Sequence, residues 1–138
     1  MHTEHLQNVR YGLIGLAWLL SIMIASIIMM VLLGLNLVDP DSALGTRIAI
    51  GAVAIGFFGG GLFIGLRAGV APILHGVLIG LFSLLVWFIL NLITAIAFPN
   101  FGWQALTPNL AIGLVLVMIG AAVVGARSGY RRMRKPIG

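Results

Sequence analysis

The chain contains no cysteine and only three acidic residues, Glu4, Asp39 and Asp41, and each shortage removes a class of chemistry. Without cysteine there is no disulfide, thiolate metal site, thiol nucleophile or acylated cysteine, and the redox compartment is left unmarked. The three acids all fall at the ends of apolar runs, so the chain offers no membrane-embedded carboxylate of the kind a proton-coupled exporter uses. Intramembrane hydrolysis would need Ser with His or Lys, or paired Asp, at depth, and that grouping is missing too. The expectation is a protein that is not an enzyme. Charge of any sign is scarce: 8% of the residues are charged, against about a quarter in ordinary soluble domains.

In place of charge the sequence has apolar bulk, with 61% hydrophobic residues and a mean hydropathy of +1.16. This is the composition of an integral membrane protein. A hydrocarbon core about 30 Å thick takes about 20 apolar residues in a helix, and the chain supplies four such runs, at 11–38, 44–66, 73–98 and 109–126. The breaks between them read DPDSALGT, RAGVAP and PNFGWQALTP, with proline, glycine and a Ser42 or Asp41 cap where helices end and begin. The first run is 28 residues long, whereas the apolar part of a signal peptide is about 7 to 15, so it is expected to stay on the protein. Outside the runs there are only loops and tails. The predicted architecture is therefore all-α, a single four-span transmembrane domain over residues 1–138 forming a four-helix bundle, with no soluble domain.

The cations are distributed unevenly. Arg10, Arg67, Arg127, Arg131, Arg132, Arg134 and Lys135 fall on one side of the expected membrane, and Arg47 alone shares the other side with Asp39 and Asp41. By the positive-inside bias the crowded side is cytoplasmic, which puts both termini inside. The net charge of +5 is then a topology device. Arg67, Arg127, Arg131, Arg132, Arg134 and Lys135 are expected to anchor the protein at an anionic membrane surface, with no nucleic-acid partner.

The stretch GGLFIGLRAGVAPILHGVLIG, residues 60–80, concentrates glycine inside this apolar background. Glycines four apart recur at Gly56/Gly60, Gly61/Gly65, Gly65/Gly69 and Gly76/Gly80, and such pairs leave a flat strip on a helix that admits a neighbouring backbone. Ala52, Gly56 and Gly60 mark one strip of the second helix and Gly61, Gly65 and Gly69 an adjacent one, which predicts a central helix with two partners. Gly125 belongs to the same packing set. The other use of so many glycines is a broken helix lining a conduction path. GGLFIGLRAG at 60–69 aligns without gaps on GAAVVGARSG at 120–129, an offset of 60, and GLIGL at 12–16 echoes VLIGL at 77–81. Two duplicated helical hairpins would produce this pattern, each Gly-x-Arg-x-Gly marking a helix exit.

The order Gly60-Gly61, then Gly65-x-Arg67-x-Gly69, then Leu74-His75-Gly76-x-x-x-Gly80 resembles the YrzE-like family of small four-span bacterial membrane proteins. The resemblance implies a multi-pass protein of the bacterial inner membrane. It carries over no activity and no catalytic residue.

Among the remaining polar groups His75 stands out, at the inner end of the third helix just after Pro72. It can hold a ligand or pigment, sense pH, or hydrogen-bond a carbonyl left open at a helix end. A two-histidine haem site lacks its second histidine at depth. His2 and His5 with Glu4 form at most a weak metal site, and no metal or cofactor is expected. Asn91 is a second possible ligand or structural residue. Together with Thr94, Ser83, Ser21 and Ser26, it is expected to hydrogen-bond across helices at about 0.6 kcal/mol each, the alternative being a water path. Phe101 and Trp103 suit the outer interface. Two functions from different classes follow. The first is a non-catalytic subunit or scaffold whose partners are lipid and other membrane helices or a second copy; the alternative is a small oligomeric channel or transporter.

Overall fold

The structure is a computed structural model that describes residues 5–39, 41–98 and 108–135. A short 3-10 turn, Leu6–Asn8, leads into four helices: α1 (Tyr11–Gly34), α2 (Ala43–Ala68), α3 (Pro72–Ala97) and α4 (Pro108–Met133). All four are long and apolar enough to cross a membrane. They pack against one another with no strand among the described residues. The Arg10, Arg67 and Arg127–Lys135 ends come together and are called the basic end here.

Helix boundaries differ from the apolar runs where local chemistry overrides hydropathy. The first run reaches Val38 in the sequence, yet α1 stops at Gly34. Asn36 takes φ 53, Leu37 N–H donates to the Leu32 carbonyl at 3.0 Å and Asn36 N–H to the Leu33 carbonyl at 3.1 Å. That pair of bonds is a Schellman stop with asparagine in the left-handed position, so Leu35, Leu37 and Val38 are apolar but not helical. At the other extreme α4 continues to Met133, past the expected end at Ala126. Arginine is a good helix former and suits a helix C-terminus, so the loss of hydropathy there does not end the helix.

The turns are built as capping chemistry. Ser42 Oγ accepts from Gly45 N–H at 2.9 Å and donates to the Asp39 carbonyl at 2.7 Å, while Asp39 Oδ1 accepts from Asp41 N–H at 3.0 Å. Ser42, not Asp41, is the cap of α2. Gly69 ends α2 at φ 68, and the next helix starts at Pro72 from Ala71 at φ 46. A left-handed alanine before a proline is strained.

Burial is concentrated in the basic half of the bundle. Phe57, Ile64 and Ile79 are the large side chains at its centre, with Ala17, Ala68, Ala122 and Ala126 between them. Trp18 of α1 meets Phe82 of α3 edge-on, with ring centroids 5.2 Å apart. In the other half no residue of 26–39, 84–98 or 109–121 is buried. The helices part there, and their apolar side chains face outward as a hydrocarbon environment requires.

Candidate functional site

The small residues decide where the helices touch. On α2, a Cβ at Gly56 would run into the Ser21 carbonyl and one at Gly60 into the Ser21 hydroxyl and the Ala17 carbonyl, all on α1. The adjacent strip meets α4: a Cβ at Gly61 would strike the Ala122 carbonyl and one at Gly65 the Ala126 carbonyl. From α4 the approach is reciprocal, Gly125 facing the Phe58 carbonyl and Gly129 the Leu62 carbonyl. Gly76 and Gly80 bring α3 onto α4 at Val123 and Ile119. Gly69 is different, because its Cβ would make only an ordinary 3.4 Å contact with Met133 and its φ of +68 identifies it as the cap of α2. Gly129 does not repeat that role. The helix runs on past it, and its missing side chain serves the contact with Leu62.

These contacts contain a local two-fold relation that the sequence alignment misses. An offset of 64 exchanges Gly61 with Gly125, Phe58 with Ala122, Gly65 with Gly129 and Leu62 with Ala126, and so maps each side of the α2–α4 contact onto the other. The sequence match at offset 60 pairs Gly65 with Gly125, one helical turn out of this register. The symmetry ends at this contact. Under the same offset the α4 positions matching Gly56 and Gly60, where α1 sits on α2, are Gly120 and Val124. Gly120 has nothing within 4 Å and Val124 is 57% exposed. Gly113, two turns earlier on the same face, is equally open. Gly113, Gly120 and Val124 are exposed and, with the half-buried Val117, form a strip with heptad spacing on the outward side of α4, with Arg127 and Arg131 continuing it at the basic end.

His75 is fully buried and joins three elements. Arg10 N–H donates to its Nε2 at 3.1 Å, and Nδ1 lies 2.8 Å from the Ala71 carbonyl. Since Nε2 accepts from a backbone N–H, the ring proton sits on Nδ1 and the imidazole is neutral. The Ala71 carbonyl also accepts the His75 backbone N–H at 3.1 Å. The ring therefore pins the start of α1 to the strained turn before α3. The carbonyl it takes belongs to the cap of its own helix, not to an open end of α2, and both ring nitrogens carry hydrogen bonds.

Unlike His75, the side chains of Ser21, Asn91 and Thr94 do not bridge helices. Ser21 Oγ donates to the Ala17 carbonyl at 2.8 Å, Asn91 Nδ2 to the Trp87 carbonyl at 2.8 Å and Thr94 Oγ1 to the Leu90 carbonyl at 2.7 Å, each four residues back on its own helix. The expectation of cross-helix bonds fails for these three because the i−4 carbonyl is always within reach and costs no assembly. No group of three or more His, Asp or Glu that could hold a metal occurs among the described residues. His2, Glu4, Phe101 and Trp103 lie outside those residues.

At the basic end Arg67, Arg127, Arg131, Arg132, Arg134 and Lys135 are all exposed. The Arg134 guanidinium lies over the Tyr130 ring at 5.1 Å and that of Arg67 over Phe63 at 6.0 Å, so these two charges rest on aromatic faces. Reading the sequence missed Ala122 and Ala126, whose carbonyls receive the α2 glycines, because alanine gives no signal in so apolar a chain. It also missed a cavity between α3 and α4 lined by Ser83, Trp87 and Ala111, which arises only where two helices diverge. Compared with known proteins, the chain matches no family model, no curated protein and no solved structure.

Proposed function

We propose that this protein is a non-catalytic subunit of a membrane complex, held to a partner transmembrane helix by the outward face of α4. The observation that carries this reading is the open strip Gly113, Val117, Gly120 and Val124. In the α1–α2 and α2–α4 contacts small residues are seated on a neighbouring backbone, whereas Gly12, Gly15, Gly34 and Gly51 are open singly and do not form a strip of this length. Glycine in an uncovered helix position costs about 1 kcal/mol relative to alanine, and close approach by another helix is what offsets it. The strip corresponds, through the local two-fold, to the α2 surface that receives α1. Arg127 and Arg131 at its basic end suit a partner helix with an acidic residue at that level, and disfavour pairing with α4 of a second copy, whose arginines would face them.

The setting proposed with it is the bacterial inner membrane with both termini cytoplasmic. This rests on the seven-to-one split of lysine and arginine and on the resemblance to small four-span bacterial proteins. The test is site-specific photocrosslinking in native membranes. A photoreactive residue at Val117 or Val124 should capture a partner that one at Leu85 on α3 does not, and Gly120→Leu should abolish the capture. A transporter acting alone would instead give saturable flux in liposomes with no crosslink from α4.

A further inference from the structure

Where α3 and α4 part, beyond the contact of Gly80 with Ile119, they enclose a cavity of about 280 Å³. Leu84 and Trp87 line it from α3, and Ala111, Val115 and Met118 from α4. Its wall is apolar apart from the Ser83 hydroxyl, near the middle of α3, and the Trp87 indole N–H. Ser83 is only 8% exposed, and among the described residues its hydroxyl has no hydrogen-bond partner. Ser21, Asn91 and Thr94 each satisfy themselves on the carbonyl four residues back, whereas Ser83 and the exposed Ser26 do not, and of these two only Ser83 is buried. An unpaired hydroxyl in hydrocarbon is costly, of the order of 1 to 3 kcal/mol. Trp87 follows four residues later on the same face, about 6 Å along the helix axis. Its edge remains 41% exposed, so the cavity is open toward the lipid.

We propose that this cavity binds a lipid-soluble quinone, meaning a flat conjugated ring that bears carbonyl oxygens and an apolar tail. The ring lies against the Trp87 indole, one carbonyl accepts from Ser83 Oγ–H, and the tail leaves between the helices into the bilayer. Three properties of the site select this class. The depth of Ser83 excludes the ester oxygens of a phospholipid, which stay at the interface, so an acyl chain fills the space and leaves the hydroxyl unpaired. Water needs two to four polar partners, and beyond the Ser83 hydroxyl and the Trp87 indole N–H the described wall is hydrocarbon. An aromatic face one turn from the Ser83 hydroxyl matches a planar ring with a carbonyl on its edge. The cavity lies on the α3 side of α4 and the Gly113–Gly120 strip faces away from α3, so this inference does not depend on the subunit reading.

The test uses the purified full chain in lipid nanodiscs, titrated with a short-tailed benzoquinone while tryptophan fluorescence is followed. The expected result is saturable quenching, most of which is lost in Trp87→Phe. Ser83→Ala should weaken the Kd by about tenfold, the factor carried by a hydrogen bond of about 1.4 kcal/mol, and Ser83→Thr should restore it. Ala111→Phe, which fills the cavity from α4, should remove the saturable phase while the helical circular dichroism stays unchanged. Quenching that rises linearly with quinone, as partition into the bilayer alone would give, overturns the proposal. So does a Kd within twofold of the parent in both Ser83→Ala and Ala111→Phe, or a retained phospholipid chain, seen by native mass spectrometry, that the quinone does not displace.

Discussion

Replacing Gly61 by alanine separates the packing role of glycine from its effect on the helix itself. A Cβ at Gly61 would lie 2.9 Å from both the carbonyl carbon and the Cα of Ala122, and closer still to the carbonyl oxygen. Carbon atoms in relaxed contact sit about 3.5 to 4.0 Å apart, so α2 and α4 must move apart over a contact that also holds Gly65, Gly125 and Gly129. Overpacking of this kind costs about 1 to 3 kcal/mol. The same substitution gains about 1 kcal/mol of helix propensity, since alanine is the better helix former. Gly113→Ala removes that ambiguity, because among the described residues a Cβ there would meet nothing within 4 Å and only the propensity gain applies. The difference between the two variants isolates the packing cost, about 1 to 3 kcal/mol with Gly61→Ala the less stable. Reversible unfolding of the purified chain in mixed micelles of mild detergent and SDS, read by circular dichroism, supplies the comparison. Combining Gly61→Ala with Gly125→Ala adds a second check. The first alanine already separates the helices, so the double variant should be more stable than the sum of the singles implies by about 0.5 kcal/mol or more. If Gly61→Ala were as stable as Gly113→Ala and the double variant strictly additive, the close approach of α2 and α4 would be refuted.

Three further outcomes are expected. His75→Phe keeps the buried ring but strands the Arg10 N–H, so it should cost about 1 to 3 kcal/mol in the same unfolding assay, and an unchanged midpoint would contradict the bridge between α1 and α3. Asn36→Gly should be neutral or slightly stabilising, and Asn36→Val destabilising by about 1 kcal/mol or more, because a β-branched residue fits poorly at φ 53; equal stability of the two variants would contradict the left-handed stop. In intact cells a membrane-impermeant thiol reagent should label a cysteine placed at Ser42 and spare one at Ala68 or Ser128, and labelling at Ala68 would reverse the proposed orientation.

The four helices and their approximate extents were legible because hydropathy over some 20 residues is a strong signal that needs no tertiary information. Boundaries were less so. The stop at Gly34 depends on backbone bonds around Asn36, and the extension of α4 through Arg127 depends on helix propensity, neither of which hydropathy registers. The two strips on α2 could be drawn from glycine spacing alone, but their partners could not, because the receiving surfaces are alanine and serine backbone at Ala17, Ser21, Ala122 and Ala126. The repeat was read one helical turn away from the register that the packing uses, since arginine and glycine matches at the helix exit outweighed the featureless alanines. His75 was recognisable as the polar residue of interest. Its link to Arg10 spans 65 residues and was out of reach of any local pattern. Ser83 was seen as one more intramembrane hydroxyl, and only the divergence of α3 from α4 distinguishes it from Ser21.

The subunit reading stands most directly on the open face of α4, and one measurement bears on it alone. The protein should be purified from native membranes in mild detergent, as the parent chain and as Gly120→Leu, with the mass of each intact assembly determined. Among the described residues a Cβ at Gly120 would meet nothing within 4 Å, so Gly120→Leu should fold and be at least as stable as the parent, by up to about 1 kcal/mol of helix propensity. The account predicts that the parent carries a further membrane protein at fixed stoichiometry and that Gly120→Leu is recovered without it. A parent recovered as a bare monomer, or a Gly120→Leu variant that retains the same partner, would contradict it.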